Sequence, residues 1–293
     1  MGSLKSFVLA GAAALAIIPG AFAADLGPLA PPMLPPVQAP VEEFSGWYLR
    51  GDVGVGRQTF SDFAHTQTNA SFVWPASWRI EQKDIKDTAF VGFGVGYQWN
   101  SWLRTDVTAE YRASTKGKAI GSYTEFCPGG RCFDVYDFDH QSSVFLVNAY
   151  VDLGTWWCVT PFVGVGVGGA RHEISSIHDV GFVADGTTGF GLPDIGKDNH
   201  VTWDFAWAVH AGLGYNVSNN LKLEIAYRYL NMGSPDTAVV NCNSFGCQGA
   251  GPRAFYTLTD LTSHDFKIGM RWLLNEPAPA PQPIYAPPLM RKG

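Results

Sequence analysis

The chain has 293 residues, a formal net charge of −6 and only 16% charged residues, and no basic stripe runs along it. This charge distribution excludes a nucleic-acid-binding protein, which needs clustered lysine and arginine. The 33 glycines, 10 tryptophans and 19 phenylalanines indicate a glycine- and aromatic-rich β protein.

The first 23 residues have the pattern of a secretory signal peptide. Lys5 precedes an apolar run at 7–18, and the sequence AFA at 21–23 is a small-x-small cleavage site. We therefore expect residues 1–23 to be removed from an exported protein. The run is too short for a helix that spans a membrane, so a membrane location would require a barrel.

Proline-rich segments flank the body of the chain. Residues 26–40 and 277–288 contain twelve of the nineteen prolines. Such segments favour polyproline II and cannot join a sheet. We predict a periplasmic arm at 24–43 and a periplasmic tail at 276–293. These arms are either solvated spacers or contacts with a periplasmic partner or the cell wall.

Eight runs with a two-residue apolar period lie between the arms, within residues 44–275. They are predicted strands at 47–57, 87–99, 103–112, 141–153, 159–171, 202–217, 221–232 and 263–274. Tight turns at 100–102, 154–158 and 218–220 alternate with segments of about thirty residues at 58–86, 113–140, 172–201 and 233–262. Long segments of this kind are unusual in a compact soluble domain. The alternation predicts an all-β, eight-stranded antiparallel transmembrane up-and-down β-barrel with four long extracellular loops and short periplasmic turns.

One face of these strands carries charges and the other carries bulky apolar side chains. Glycines share the parity of the charges, at positions such as Gly92, Gly94, Gly96, Gly166 and Gly212. Because an eight-stranded barrel has a narrow interior, we expect the glycines to make room for inward charges. The predicted lumen network, six cations and five anions that must pair, consists of Arg50, Asp52, Arg104, Asp106, Glu110, Lys222, Glu224, Arg228, Asp265, Lys267 and Arg271.

Aromatic residues cluster at both ends of the predicted strands. Trp47, Trp99 and Trp272 are near the tight turns, whereas Tyr111 and Trp203 are toward the long segments. Two such girdles are typical of a barrel whose outer face meets lipid.

Five cysteines fit an oxidising compartment. Cys127 with Cys132, and Cys242 with Cys247, each enclose a short glycine-bearing turn, which predicts two local disulfides. A shared four-cysteine metal site is the alternative, but the tight two-residue spacing is absent. Cys158 would remain a free thiol near a turn.

Two segments resemble a known family. The sequence FSGWYLRGDVG at 44–54, after a mature start ADL at 24–26, resembles the opacity-type small outer-membrane β-barrels of alphaproteobacteria, surface antigens related to the OmpA transmembrane barrel. The closing KIGMRW at 267–272 is similar to the signal on last strands that the barrel-assembly machinery reads. The residues that carry this assembly signal are Lys267, Gly269, Met270 and Trp272.

The resemblance implies an outer-membrane location, contact with outer-membrane lipid and lipopolysaccharide, and recognition by the assembly machinery. Two features depart from the family. Nineteen residues follow Leu274, where the family's signal usually ends the chain, and no length remains for a peptidoglycan-binding domain.

These observations favour a structural, surface-antigen role with no enzymatic activity, cofactor, catalytic residue or metal ligand. A small-solute channel is the first alternative, but aqueous porin channels need roughly 16–18 strands. An adhesin or ligand-binding protein is the second, with contacts from the aromatic residues Phe60, Phe63, Phe72, Trp74 and Trp78 of the first long segment.

Histidines give two weaker hypotheses. His140 and Ser142 could serve a lipid A deacylase, but Asp152 would be about 33 Å from Ser142 along an extended strand. His65, His172 and His178, predicted in the long segments, could bind metal or haem, although their spacing is unspecific. His210 has the inward parity and fits a lumen hydrogen-bond network better.

Overall fold

The computed structural model describes residues 45–68, 75–125, 127, 129–183, 200–241 and 253–274. The predicted signal peptide, both proline-rich arms, Cys242 and Cys247 lie outside the described residues. The strands are β1 (Gly46–Thr59), β2 (Asp62–Gln67), β3 (Arg79–Ile85), β4 (Thr88–Gln98), β5 (Leu103–Tyr123), β6 (Cys132–Asp152), β7 (Val159–Val183), β8 (His200–Asn216), β9 (Leu221–Asn231), β10 (Val240–Asn241), β11 (Arg253–Thr259) and β12 (Thr262–Leu273). The described part contains no helix long and apolar enough to cross a membrane.

Eight strands form a closed antiparallel ring in the order β1, β4, β5, β6, β7, β8, β9 and β12, and β12 pairs again with β1. The predicted eight-stranded up-and-down barrel is thereby confirmed. The tight connections between β4 and β5, β6 and β7, and β8 and β9 share one end of the ring, called here the short-turn end. The opposite end is the long-loop end.

The ring is inverted relative to a soluble barrel. On β12, Phe266, Ile268 and Met270 are each at least half exposed, whereas Asp265 and Lys267 between them are buried. The same alternation recurs around the ring. Outward apolar and inward polar side chains are the pattern of a sheet that faces hydrocarbon.

The ring strands continue well beyond their predicted ends into two of the four long segments, 113–140 and 172–201. β5 runs to Tyr123, β6 begins at Cys132 and β7 runs to Val183, and the segments at 58–86 and 233–262 contain β2, β3, β10 and β11. The assignment of these regions to loops was therefore wrong for most of the described residues. They were missed because their polarity is reversed: Lys116 and Lys118 point outward while Ala119 is buried.

A β-bulge produces this reversal on β5. Arg112 pairs with Ser142 and Thr115 pairs with His140, so β5 has one residue more than β6 between these pairs. Since side chains alternate along a strand, one extra residue moves every later side chain to the other face. β7 has a corresponding irregularity at Ser176, whose φ is 53°.

Two sheets face each other at the long-loop end. β2, β11 and β10 form a three-stranded sheet, and β3 joins the extended β5, β6 and β7. Phe63 stacks on Tyr256 and Phe138 with ring centroids 4.8 and 5.9 Å apart. We call the buried side chains there the apolar cap: Phe60, Phe63, Ile85, Ala119, Tyr136, Phe138, Ile174, Ile177, Leu230, Met232, Tyr256, Leu258 and Leu261.

Candidate functional site

The interior of the ring between the short-turn end and the apolar cap is the charged lumen. The structure places ten of the eleven predicted lumen charges in buried positions, and Lys222, near the short-turn end, is half-buried. Arg104, Arg112 and Arg271 are each at most 1% exposed. These large side chains fill the narrow interior that eight strands enclose.

The layer nearest the cap is a four-charge cluster. Asp265 accepts hydrogen bonds from Arg112 at 2.8 and 3.1 Å and from Arg228 at 2.6 and 2.8 Å. Glu110 accepts from the same two arginines at 2.9 and 2.8 Å. A Cβ at Gly56 would lie 2.1 Å from Asp265 Oδ1, so this cluster can form only because residue 56 is a glycine.

The middle layer is built around Arg50. Its guanidinium donates to Asp52 at 2.9 and 3.0 Å and to Asp106 and Tyr150 at 2.8 and 3.0 Å. Lys267 adds a second cation 3.8 Å from Asp52. Each buried carboxylate in this layer therefore has a cationic neighbour, which offsets the desolvation of both charges.

The layer at the short-turn end joins Arg104 and Arg271 to Asp152 and Glu224. The nitrogen–oxygen distances are 3.1 Å for Arg104–Asp152 and for Arg271–Glu224, and 3.4 and 3.9 Å for the crossed pairs. Gln98 accepts a further hydrogen bond from Arg271 at 3.0 Å. The three layers follow one another along the barrel axis.

Sequence reasoning left several lumen residues out of the network. Arg112 and Asp152 are full members, and Tyr48 and Asn148 hydrogen bond to Asp106 at 3.1 and 2.7 Å. All four have the inward parity of the neighbouring charges. Asp152 and Asn148 lie inside the predicted strand at 141–153, so their inward parity was enough to predict that they belong to the lumen.

The histidines predicted for catalysis or metal binding have other partners. His140 Nε2 lies 3.0 Å from His172 Nδ1, and His172 Nε2 donates to the Met232 carbonyl at 2.8 Å. Ser142 contacts the Met232 sulfur, and Asp152 belongs to the layer at the short-turn end. The deacylase residues are therefore not assembled into a triad.

The remaining histidine candidates are dispersed. His65 is on β2 with its ring centroid 4.7 Å from that of Trp78, whereas His178 is on β7. Within the described ranges, no group of three or more His, Cys, Asp or Glu side chains is arranged to hold a metal ion.

Two acidic residues point into the far end of the cap. Tyr136 donates to Asp134 at 3.4 Å, and Asp179 lies opposite Tyr136 in the β6–β7 register. Burial raises the pKa of the Asp134 carboxyl to about 6. Burial, reinforced by the charge of Asp134, raises the pKa of Asp179 well above its usual range. Both carboxyls therefore bind a proton more readily than exposed ones.

Cysteines and the assembly-signal residues occupy defined positions. Cys127 and Cys132 form a disulfide between β5 and β6, as predicted, and Cys158 is a free, exposed thiol at a short turn. On β12, Lys267 points into the lumen, Gly269 lies against Asp52, and the outward Met270 and Trp272 are 55% and 54% exposed.

The family model for the outer membrane protein beta-barrel domain matches residues 12–271. The chain belongs to this family. Relatives include an uncharacterized protein of Brucella abortus, 30% identical over 262 residues that cover 82% of this chain and 88% of the relative. The outer membrane protein PagN of Salmonella typhimurium is 28% identical over 62% of this chain and 71% of its own length. A protein of Rickettsia prowazekii named "Putative adhesin" is 27% identical over 77% and 86% of the two chains.

Solved structures of this kind of barrel are similar at lower identity. Neisserial surface protein A has 16% identity and a TM-score of 0.42, and covers 79% of this chain and 100% of its own. The outer membrane protein OprG of Pseudomonas aeruginosa has 14% identity and a TM-score of 0.44, with 79% and 98% covered. Membership of the family places this barrel in the outer membrane, where the outward apolar face meets lipid.

Proposed function

We propose that this protein is a structural surface protein, an outer-membrane barrel with a closed lumen that holds the apolar cap and the long loops outside the cell. The observation that carries the proposal is the succession of two barriers along the barrel axis. Three layers of paired charges are followed by a layer of packed apolar side chains. The proposal includes no enzymatic role and no cofactor.

The charged layers oppose the passage of solutes because their side chains already occupy the interior. Arg104 lies with its guanidinium carbon 4.2 Å from the Tyr150 ring centroid and 4.6 Å from that of Phe162. Opening a path there would separate buried ion pairs and leave charges without partners, which costs several kcal/mol per pair.

The apolar cap opposes ions by a different mechanism. Leu230, Met232, Leu258 and Leu261 of the cap are each fully buried. An ion that passed these side chains would lose its hydration without gaining a polar partner. The two barriers together support a barrel that does not conduct.

The proposed orientation rests on the ends of the ring. β1 begins and β12 ends at the short-turn end. Small outer-membrane barrels have their short turns in the periplasm. We therefore assign the arms and the tail to the periplasm, and the cap, with the Cys127–Cys132 disulfide, to the cell exterior. Outer-membrane lipid and lipopolysaccharide are then the partners of the outward face.

Single-channel recording tests the closed lumen. Detergent-folded full-length protein would be inserted into planar bilayers in potassium chloride, and folding would be checked by heat-dependent gel migration. We expect no steady conductance steps at a protein concentration where a sixteen-stranded porin, the positive control, shows them. Reproducible steps from the folded protein would refute the structural proposal and favour the small-solute channel.

Adhesion is the second candidate, and the Rickettsia prowazekii relative with adhesin in its name is the observation that favours it. The predicted contact residues need revision, however. Phe60 and Phe63 are buried in the cap, and Phe72 and Trp74 lie outside the described residues. Binding of host cells by bacteria that express the protein would be compared with the double variant Phe72→Ser with Trp74→Ser. Equal binding at equal surface expression would exclude these two side chains as the contact.

A further inference from the structure

One part of the lumen wall contains buried polar atoms without partners. Asn148 on β6 is 1% exposed, and its side-chain nitrogen donates to Asp106 at 2.7 Å and to Thr108 at 3.1 Å. Its Oδ1 has no hydrogen-bond partner among the described residues. Neither ring nitrogen of His210, which is 2% exposed on β8, has one either.

Both orphaned atoms lie close to Gly166 of β7, whose missing side chain leaves room for the Asn148 amide. A Cβ built on Gly166 would lie 2.1 Å from Asn148 Oδ1 and 3.5 Å from His210 Nε2. The separation of the two atoms is therefore at most 5.6 Å, the sum of 2.1 and 3.5 Å. A water molecule that hydrogen bonds to both at about 2.8 Å can bridge a separation of up to about 5.6 Å.

We infer that one buried water molecule bridges Asn148 Oδ1 and His210 Nε2 beside Gly166, at a position that we call the niche. The amide oxygen can only accept, so the ligand must donate a hydrogen bond to it. Water can donate there and either donate to or accept from the imidazole, according to its tautomer. A buried polar group that would otherwise lose a hydrogen bond is the usual reason for such a water.

The charges around the niche argue against an ion as its occupant. Lys267, Arg228 and Arg50 act electrostatically on His210, which disfavours a cation. An anion would be repelled by the lone pairs of Asn148 Oδ1. It would also lie near the Asp106 carboxylate, to which the Asn148 side chain donates a hydrogen bond. A neutral molecule that both donates and accepts satisfies the niche without adding a buried charge.

A crystal structure of the full-length protein at a resolution better than about 2 Å is the direct test. We expect a density peak within hydrogen-bonding distance of both atoms, about 2.7–3.2 Å. A direct hydrogen bond between Asn148 and His210 would overturn the inference. So would an anomalous signal in the niche after replacement of chloride by bromide, because that result would identify an anion site.

Variants separate the bound water from a general packing effect. His210→Phe keeps a planar ring but removes one partner, so the peak should disappear or lose most of its occupancy. Gly166→Ala should displace the Asn148 amide, and the water with it, if the variant folds. Gly92→Ala is the matched control, because its Cβ would have no atom nearer than 3.5 Å, and it should keep the water. Retention of the peak in His210→Phe would contradict the assignment. None of these outcomes depends on whether the lumen conducts, so this inference and the closed-lumen proposal can fail separately.

Discussion

Removing the charge of Asp265 is the sharpest test of the ion network. This carboxylate receives four hydrogen bonds from Arg112 and Arg228 and a fifth, at 2.5 Å, from Ser263. In Asp265→Asn, two arginines that are at most 3% exposed would share the single charge of Glu110. Leaving a buried charge uncompensated costs about 3–5 kcal/mol, so we expect a loss of that size in the free energy of unfolding.

The measurement is equilibrium unfolding in urea of protein reconstituted in lipid vesicles, followed by tryptophan fluorescence and by gel migration. Asp87→Asn, at an exposed carboxylate just before β4, is the control and should behave like the wild type. The double variant Asp265→Asn with Arg228→Met leaves one cation facing one anion and should recover most of the lost stability. Two results would refute the reasoning. One is a single variant whose free energy of unfolding lies within about 1 kcal/mol of the wild-type value. The other is a double variant that is no more stable than the single variant.

Three further predictions concern other parts of the barrel. Phe93→Arg, on the outward face at a side chain 70% exposed, should lower stability by about 2–4 kcal/mol in vesicles, and an unchanged urea midpoint would argue against a lipid-facing position. Gly96→Ala should cost about 1–3 kcal/mol because its Cβ would meet the Tyr48 ring at 2.3 Å, whereas Gly92→Ala should be neutral by the same assay. Since the folded-state pKa of Asp134 is raised to about 6, its contribution is full below the unfolded value near 3.8 and is lost as pH rises through 6. The part of the stability that depends on Asp134 should therefore fall by about 3 kcal/mol between pH 4 and pH 8, and Asp134→Asn should make the total fall smaller in pH-dependent unfolding.

The sequence was sufficient for the transmembrane part of the fold because two signals agree there. Residues such as Glu224 and Lys267 alternate with apolar neighbours on their strands, and the predicted lumen charges nearly cancel. The alternation of polar and apolar residues shows which side chains share a face of the sheet. The nearly zero sum of the charges indicates that the charged face is enclosed, because buried charges must pair. The partners within the lumen could not be predicted, because pairing between distant strands, as in Arg112 with Asp265, depends on the register of the closed ring.

The cap escaped prediction for a related reason. Its strands keep the two-residue period, but their polar residues face outward, so they lack the apolar-outward pattern that identified the membrane segments. Phe63 and Tyr136 are separated by more than seventy positions, and their ring centroids lie 5.4 Å apart only because two sheets face each other. No local signal in either segment specifies that contact, which is a consequence of the tertiary structure.

The bulge on β5 explains how one alternation of polar and apolar residues fits a strand that lies partly in lipid and partly in water. Even-numbered positions are mostly polar from Arg104 to Lys118, and odd-numbered positions are mostly apolar or small, without a change at residue 113. Up to Arg112 the even positions point into the lumen, and after the bulge they point outward. The backbone ladder satisfies its hydrogen bonds equally in lipid and in water, so the transition needs no change in pairing. A single inserted residue therefore places charges inside where lipid surrounds the wall, and outside where the wall encloses the apolar cap. By this argument, the level of the bulge marks the edge of the hydrocarbon layer.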